Sequence, residues 1–188
     1  MPIAYIGLGA NLPSSAGPPE ATLVAAASRL ETLGRLVARS SLYATAPVGF
    51  ADRPHFVNAV VALETELAPR TLLEGLLAIE REFGRDRAAS FPNGPRTLDL
   101  DILLFGDWVV AGHDLETPHP RLAQRAFVLV PLAEIAPHLI DPASGANVGQ
   151  LLQSLREKAD NPNDAVVPLT TGVWRAGAYR LARDDSGS

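Results

Sequence analysis

Cysteine is absent from this 188-residue chain, which excludes disulfide frameworks, thiolate metal sites and cysteine nucleophiles and leaves the redox compartment open. Lysine is nearly absent as well. Lys158 is the single one, within Leu155-Arg156-Glu157-Lys158-Ala159, where no glycine-rich turn precedes it. A Walker-type phosphate loop is therefore excluded. Any phosphate bound here must be held by arginine, by metal or by both, and the planar guanidinium fork can grip two phosphate oxygens at once. An excess of positive charge is also missing. The formal net charge of −5 argues against nucleic-acid binding by broad phosphate neutralisation. No apolar run approaches the length of a membrane span, and Met1-Pro2-Ile3-Ala4-Tyr5 lacks the basic segment and long apolar stretch of a signal peptide. These absences lead to the expectation of a cytoplasmic protein without membrane or nucleic-acid partners.

What is present is enough apolar material, 47% of residues, for one substantial core. Ile3 to Gly9 reads as a first strand. Pro18, Pro19 and Glu20 suit a helix start, and Leu23, Ala27, Leu30 and Leu33 recur at helical spacing before Gly34. Val37 to Thr45 is predicted as a second strand and Phe56 to Leu63 as a third, antiparallel to it. Leu72, Leu76, Ile79 and Phe83 mark a second amphipathic helix from Pro69, with Gly84 as its terminator. The arginine-bearing loop from Gly84 to Gly94 is expected to be mobile, and Leu98 to Phe105 is a fourth strand entering the core. The order β-α-β-β-α-β predicts an α+β fold of the ferredoxin-like split type, an antiparallel sheet with the two helices packed on one face, plus C-terminal additions. Beyond it, Phe127 to Ile135 reads as a buried helix or strand, and Val148 to Leu155 as a short helix. The expected division is one domain over 1–155 and an extension over 156–188, partly irregular or disordered.

Within Gly94-Pro95-Arg96-Thr97-Leu98-Asp99-Leu100-Asp101-Ile102, strand alternation puts Asp99 and Asp101 on one surface, about 7 Å apart at Cα. Adjacent carboxylates repel, and a hard cation such as Mg²⁺ relieves the repulsion. The alternative is a solvent-facing strand edge kept soluble by aspartates. Aspartate is a poor strand residue, and Arg96 stands beside an arginine-bearing loop, which together favour the metal reading. Glu80 flanks the buried helical row and either points inward beside the aspartates or escapes to water. His119 lies in Thr117-Pro118-His119-Pro120-Arg121, stiffened by two prolines, with Arg121 and Arg125 near enough in sequence to suggest contact with an anion. Asn58 interrupts an apolar strand, so its amide must bond either a heterocyclic ligand or a neighbouring loop such as Thr45 to Gly49.

Taken together, Ala4 to Leu12, Tyr43 to Gly49, Phe56-Val57-Asn58-Ala59, Gly94 to Phe105, Pro118-His119-Pro120-Arg121 and Arg125-Ala126-Phe127 resemble the 6-hydroxymethyl-7,8-dihydropterin pyrophosphokinases, enzymes of folate biosynthesis. The resemblance fades near Leu155 and makes 1–155 the catalytic domain. It implies transfer of pyrophosphate from ATP to the pterin alcohol with release of AMP. It also implies that Asp99 and Asp101 hold two Mg²⁺ ions, that Arg85, Arg87, Arg96, His119, Arg121 and Arg125 face the triphosphate, and that Leu73 and Ile102 lie near the adenine. Thr45, Ala46 and Val48 would meet the pterin through backbone groups, Asn58 would read its polar edge, Phe56 and Phe127 would stack on it, and Glu80 would be a supporting carboxylate. Asn93 departs from the family pattern, which often has an aromatic residue before Gly-Pro-Arg, with Phe91 as a shifted substitute, and Pro120 stands where some members have tyrosine. The implied partners are small molecules only, ATP and the hydroxymethyl dihydropterin, acting on a monomer. An RNA-binding module of the same element order, and another Mg²⁺-dependent nucleotidyltransferase releasing pyrophosphate, are the rival readings.

Overall fold

Every second residue of β1 (Ile3–Ala10) is buried, so Ala4, Ile6, Leu8 and Ala10 form one apolar row while Tyr5, Gly7 and Gly9 face the other side. The computed structural model describes residues 1–45, 55–86, 94–158, 166–170, 172 and 174–178. The row on β1 packs under α1 (Pro19–Leu30), which buries Leu23, Ala26, Ala27 and Leu30, and under α2 (Pro69–Glu82), which buries Leu72, Leu76 and Ile79. Both helices begin with proline at their first position, where a missing N–H costs nothing. Gly84, with φ +81°, ends α2 in the left-handed conformation expected of it. Gly34 follows α1 for a different reason: a Cβ there would lie 2.3 Å from the Glu64 carbonyl oxygen.

The remaining strands are β2 (Arg35–Arg39), β3 (Leu42–Thr45), β4 (Phe56–Glu64), β5 (Asp99–Phe105), β8 (Val166–Leu169) and β9 (Gly177–Ala178). They join β1 in a sheet ordered β5-β1-β4-β2-β9, with β3 pairing both β4 and β8, and every pairing is antiparallel. β6 (Val110–Ala111) and β7 (Glu116–Thr117) make a separate small hairpin. The single strand expected over Val37 to Thr45 is instead two. At Ser40 the hydroxyl accepts from Val60 N–H at 2.9 Å and donates to the Ser41 carbonyl at 2.7 Å. Serine side chains compete for backbone partners in this way and bend a strand that apolar propensity would keep straight.

The two expected helices share one face of the sheet, and the second face is covered too. Phe127 to Ile135, open between helix and strand in the sequence, lies in α3 (Ala126–Ile135), and α4 (Val148–Lys158) packs beside it. Their Val128, Leu129, Leu132, Val148 and Leu152 meet Val60, Leu103 and Leu104 in a second cluster. A register shift between Tyr5 and Ile6 in the β1–β5 pairing lets β5 serve both clusters, with Leu100, Ile102 and Phe105 in the first and Leu103 and Leu104 in the second. No helix among the described residues is long and apolar enough to cross a membrane. The loop expectation over Gly84 to Gly94 falls largely on residues 87–93, and the disordered end on 184–188, both outside the described residues.

Candidate active site

β5 starts at Asp99, and its first residues alternate sharply: Leu98 and Leu100 are fully buried, whereas Asp99 and Asp101 are half-buried on the opposite side. The strand is held in place by the core behind the charges. On the front, Arg96 Nη1 donates to Asp99 Oδ2 at 2.6 Å, and Arg85 Nη2 stands 3.7 Å from Asp99 Oδ1. Arg96 itself is fixed through its backbone. Its N–H donates to Asn11 Oδ1 at 2.8 Å, and its carbonyl accepts from Asn11 N–H at 3.0 Å and Leu12 N–H at 3.1 Å. Asn11 is thus a clamp between the end of β1 and the segment leading into β5. Its only signal in the sequence is an amide placed directly after an apolar strand.

Glu80 does turn inward, with 1% of its surface exposed. Its Oε1 accepts from the Leu100 N–H at 2.8 Å, so it grips the backbone between the two aspartates from α2. A buried carboxylate on a backbone N–H at an edge strand fixes the height at which the pair is presented.

On the other side of the aspartates, His119, Arg121 and Arg125 gather at the approach to α3. The His119 N–H donates to the Leu103 carbonyl at 2.8 Å, which ties this loop to β5. The Thr117–Pro118 bond within the loop is cis. His119 Nδ1 accepts from the Arg121 N–H at 3.0 Å, leaving Nε2 as the ring donor. Burial first, then the Arg125 and Arg121 cations, push the His119 pKa down to about 4, so the ring is neutral near pH 7. It can donate a hydrogen bond to an anion but brings no charge. Burial and the neighbouring Arg121 cation also lower the Arg125 pKa, with Asp101 and Asp99 opposing. Cations crowded and partly desolvated in this way gain from an incoming polyanion.

Asn58 is nearly buried on β4, and its Nδ2 donates to Thr45 Oγ1 at 2.9 Å. Of the two partners open in the sequence the loop-side one is therefore present, and it uses one of the two amide hydrogens. Gly9 sits opposite Asn58 across the β1–β4 pair, and a Cβ there would come within 3.1 Å of Asn58 Oδ1. Phe56 opens β4 with the Arg96 guanidinium 5.4 Å from its ring centroid, and Phe127 lies in α3 with Arg125 at 5.5 Å. Both rings are thus linked to the arginines around the aspartates. Leu73 and Ile102 lie on the α1–α2 side of the sheet, packed with the first cluster, and not on the aspartates' side. Ala46, Val48, Arg87, Phe91 and Asn93 lie outside the described residues.

Among the described residues no group of three or more His, Cys, Asp or Glu side chains converges into a cage. Two carboxylates with cations close by fit a hard divalent ion that takes its remaining ligands from water and a substrate's phosphates, which is how Mg²⁺ is commonly held. The arrangement can therefore neutralise a chain of phosphates from two sides.

The family model described as 7,8-dihydro-6-hydroxymethylpterin-pyrophosphokinase (HPPK) matches residues 5–137. A Pseudomonas aeruginosa 2-amino-4-hydroxy-6-hydroxymethyldihydropteridine pyrophosphokinase is 49% identical over 148 residues, 79% of this chain and 88% of that protein. One from Synechocystis sp. is 41% identical over 177 residues, 93% of this chain and 84% of that protein. Among solved structures, a Plasmodium falciparum HPPK-DHPS chain with pteroate superposes with TM-score 0.67 at 14% identity over 89% of this chain. That alignment spans 47% of the Plasmodium chain, about half its length, and at this identity it speaks for the fold alone.

Proposed function

The chain belongs to the 7,8-dihydro-6-hydroxymethylpterin-pyrophosphokinase family, and from that premise we propose the following reading of its site. The protein transfers pyrophosphate from ATP to 6-hydroxymethyl-7,8-dihydropterin, giving the pterin diphosphate and AMP. The observation that carries the assignment to these residues is the convergence of Asp99 and Asp101 with Arg96, Arg121, Arg125 and His119 at one end of the sheet.

The pterin alcohol oxygen must approach the β-phosphorus in line with the departing AMP oxygen, against the repulsion of the triphosphate. Asp99 and Asp101 are the residues that would hold two Mg²⁺ ions, which supply charge neutralisation across the attacked and departing groups. Arg85, Arg96, Arg121 and Arg125 take phosphate oxygens from the remaining sides, and Arg87, which follows α2 in the sequence, is assigned to the phosphates as well. His119 donates from Nε2 as a neutral ring, so on its side of the triphosphate the protein's positive charge comes from the arginines. Glu80 keeps Leu100, and with it the aspartate pair, at a fixed position and touches no substrate atom itself. No side chain is assigned as a strong general base.

Thr45, Ala46 and Val48 supply backbone contacts to the pterin, Asn58 reads its polar edge with the amide hydrogen not given to Thr45, and Phe56 and Phe127 bound its faces. The absence of a Cβ at Gly9 supports this, since it leaves the Asn58 carboxamide room. Leu73 and Ile102, on the opposite face of β5 from the aspartates, are assigned to the adenine end of the nucleotide. The strand order β5-β1-β4-β2 supports reading the core as the ferredoxin-like split arrangement. The test is direct: purified protein with ATP, Mg²⁺ and the hydroxymethyl dihydropterin yields AMP and pterin diphosphate in equal amounts. Pyrophosphate release, or no AMP, overturns the reading.

A further inference from the structure

The bend at Ser40–Ser41 gathers two distant side chains, Trp174 and Glu134, and a backbone N–H from β4. Its own Ser40 hydroxyl takes the Val60 N–H. Trp174, buried and far along the sequence, donates from Nε1 to the Ser40 carbonyl at 2.6 Å, and the Arg39 guanidinium lies 5.4 Å from its ring centroid. From α3, Glu134 accepts from the Ser41 N–H at 2.8 Å, the Ser41 hydroxyl at 2.8 Å and the Tyr43 hydroxyl at 2.8 Å. β8 then pairs with β3 along its length, from Leu42↔Leu169 to Thr45↔Val166, and β9 pairs with Ala38 and Arg39 of β2.

These contacts converge on β3, which ends at Thr45, the partner of Asn58. Helix α3 carries Glu134 at one end and Phe127 at the other, so a single carboxylate joins the element bearing Thr45 to the element bearing Phe127. Glu134 is solvent-exposed, and its three bonds all go to Ser41 and Tyr43, at the start of the strand that ends at Thr45. We propose that Glu134 and Trp174 are positioning residues for the pterin: they lock the Ser40–Ser41 bend and thereby set the distance between Thr45–Asn58 and Phe127. Tyr43 suits the role because burial, followed by the Glu134 carboxylate, pushes its pKa up to about 12, which keeps it a donor across the physiological range. Trp174 lies beyond residue 137, where the family match ends, so this part of the support is added by the C-terminal segment of this chain.

The inference rests on the pterin assignment made above, and one set of assays separates the two. Glu134→Ala removes all three acceptor contacts, and the expected result is a rise of about tenfold in KM for the pterin, the effect of losing one to three modest hydrogen bonds, with KM for ATP and kcat within about twofold. Glu134→Gln restores function to within about twofold, because its amide oxygen accepts from the Ser41 N–H and Tyr43 hydroxyl while its amide nitrogen donates to the Ser41 hydroxyl. Trp174→Phe keeps an aromatic ring in place of the indole but strips the Ser40 carbonyl of its donor, and raises the pterin KM by about threefold. Tyr43→Phe, which retains the packed ring, gives a smaller change in the same direction. Equal changes in both KM values, no change in either, or failure of Glu134→Gln to recover, in an active wild type, overturns the positioning role alone. A wild type that makes no AMP overturns the pterin assignment and this inference with it.

Discussion

Four consecutive residues at the entry to β5, Leu98 to Asp101, divide between the two faces of the sheet. Leu98 and Leu100 disappear beneath α1 and α2, while Asp99 and Asp101 stand one residue away among arginines. A strand that is half core and half charge fixes its charges through its core. A one-residue slip would bury both aspartates and expose both leucines, so the register is enforced by burial energy that the charged face does not itself supply. The lesson is that the stability and the chemistry of this segment reside in alternate residues and are separable by mutation.

The largest expected effect lies on the charged side. Asp99→Ala and Asp101→Ala each lower kcat/KM by about 10³ or more, the loss of roughly 4 kcal/mol of transition-state stabilisation, while thermal melting stays within a few degrees of wild type. Steady-state AMP release together with calorimetry checks this, and melting as low as that of a core variant would erase the contrast. Leu100→Ala is the reciprocal case, with a stability loss of about 2–5 kcal/mol in denaturant titration and near-normal turnover in the fraction that stays folded.

Glu80→Ala tests the link between the sides. It leaves the Leu100 N–H without its carboxylate, at a cost of about 1–3 kcal/mol, and should lower both stability and kcat, whereas Leu100→Ala lowers mainly stability. Replacing Arg125 by lysine keeps the charge and loses the fork, so KM for ATP is expected to rise about tenfold with kcat less affected. An unchanged KM removes Arg125 from the phosphate contacts.

The smallest effect concerns pH. With a folded pKa near 4 against an ordinary 6.5, His119 binds its proton more readily in the unfolded chain between those values. Its contribution to stability is therefore fully present above about pH 6.5 and declines as pH falls toward 4. NMR titration of the ring in the ligand-free protein should find no midpoint near 6.5. A midpoint near 6.5 would overturn the depressed pKa and with it this pH dependence.

The main elements were legible because period-2 burial in β1 and β5 and helical spacing in α1 and α2 are written directly into the order of leucines, alanines and isoleucines. The division of Val37 to Thr45 was not, since it depends on where one serine hydroxyl finds a distant N–H. The face on which α3 and α4 would pack was equally hidden. Apolar residues on nearly every side leave no stripe in the sequence to say which neighbour covers a helix, and α3, with Glu134 its one charged residue, is of this kind.

For the site, the sequence by itself determined that Asp99 and Asp101 share a surface, because residues two apart on a strand point the same way, whereas the contact of Arg96 with Asp99 was decided by the tertiary structure. The absence of every lysine but Lys158 left any phosphate to arginine, to metal or to both. Only the tertiary structure decided that Glu80 holds the Leu100 backbone, that Asn11 clamps Arg96, that His119 is neutral, and that Trp174 and Glu134 converge on one bend. Each of these joins residues whose separation in the chain leaves no periodic trace, and each is set by burial and hydrogen-bond completion once the sheet has closed.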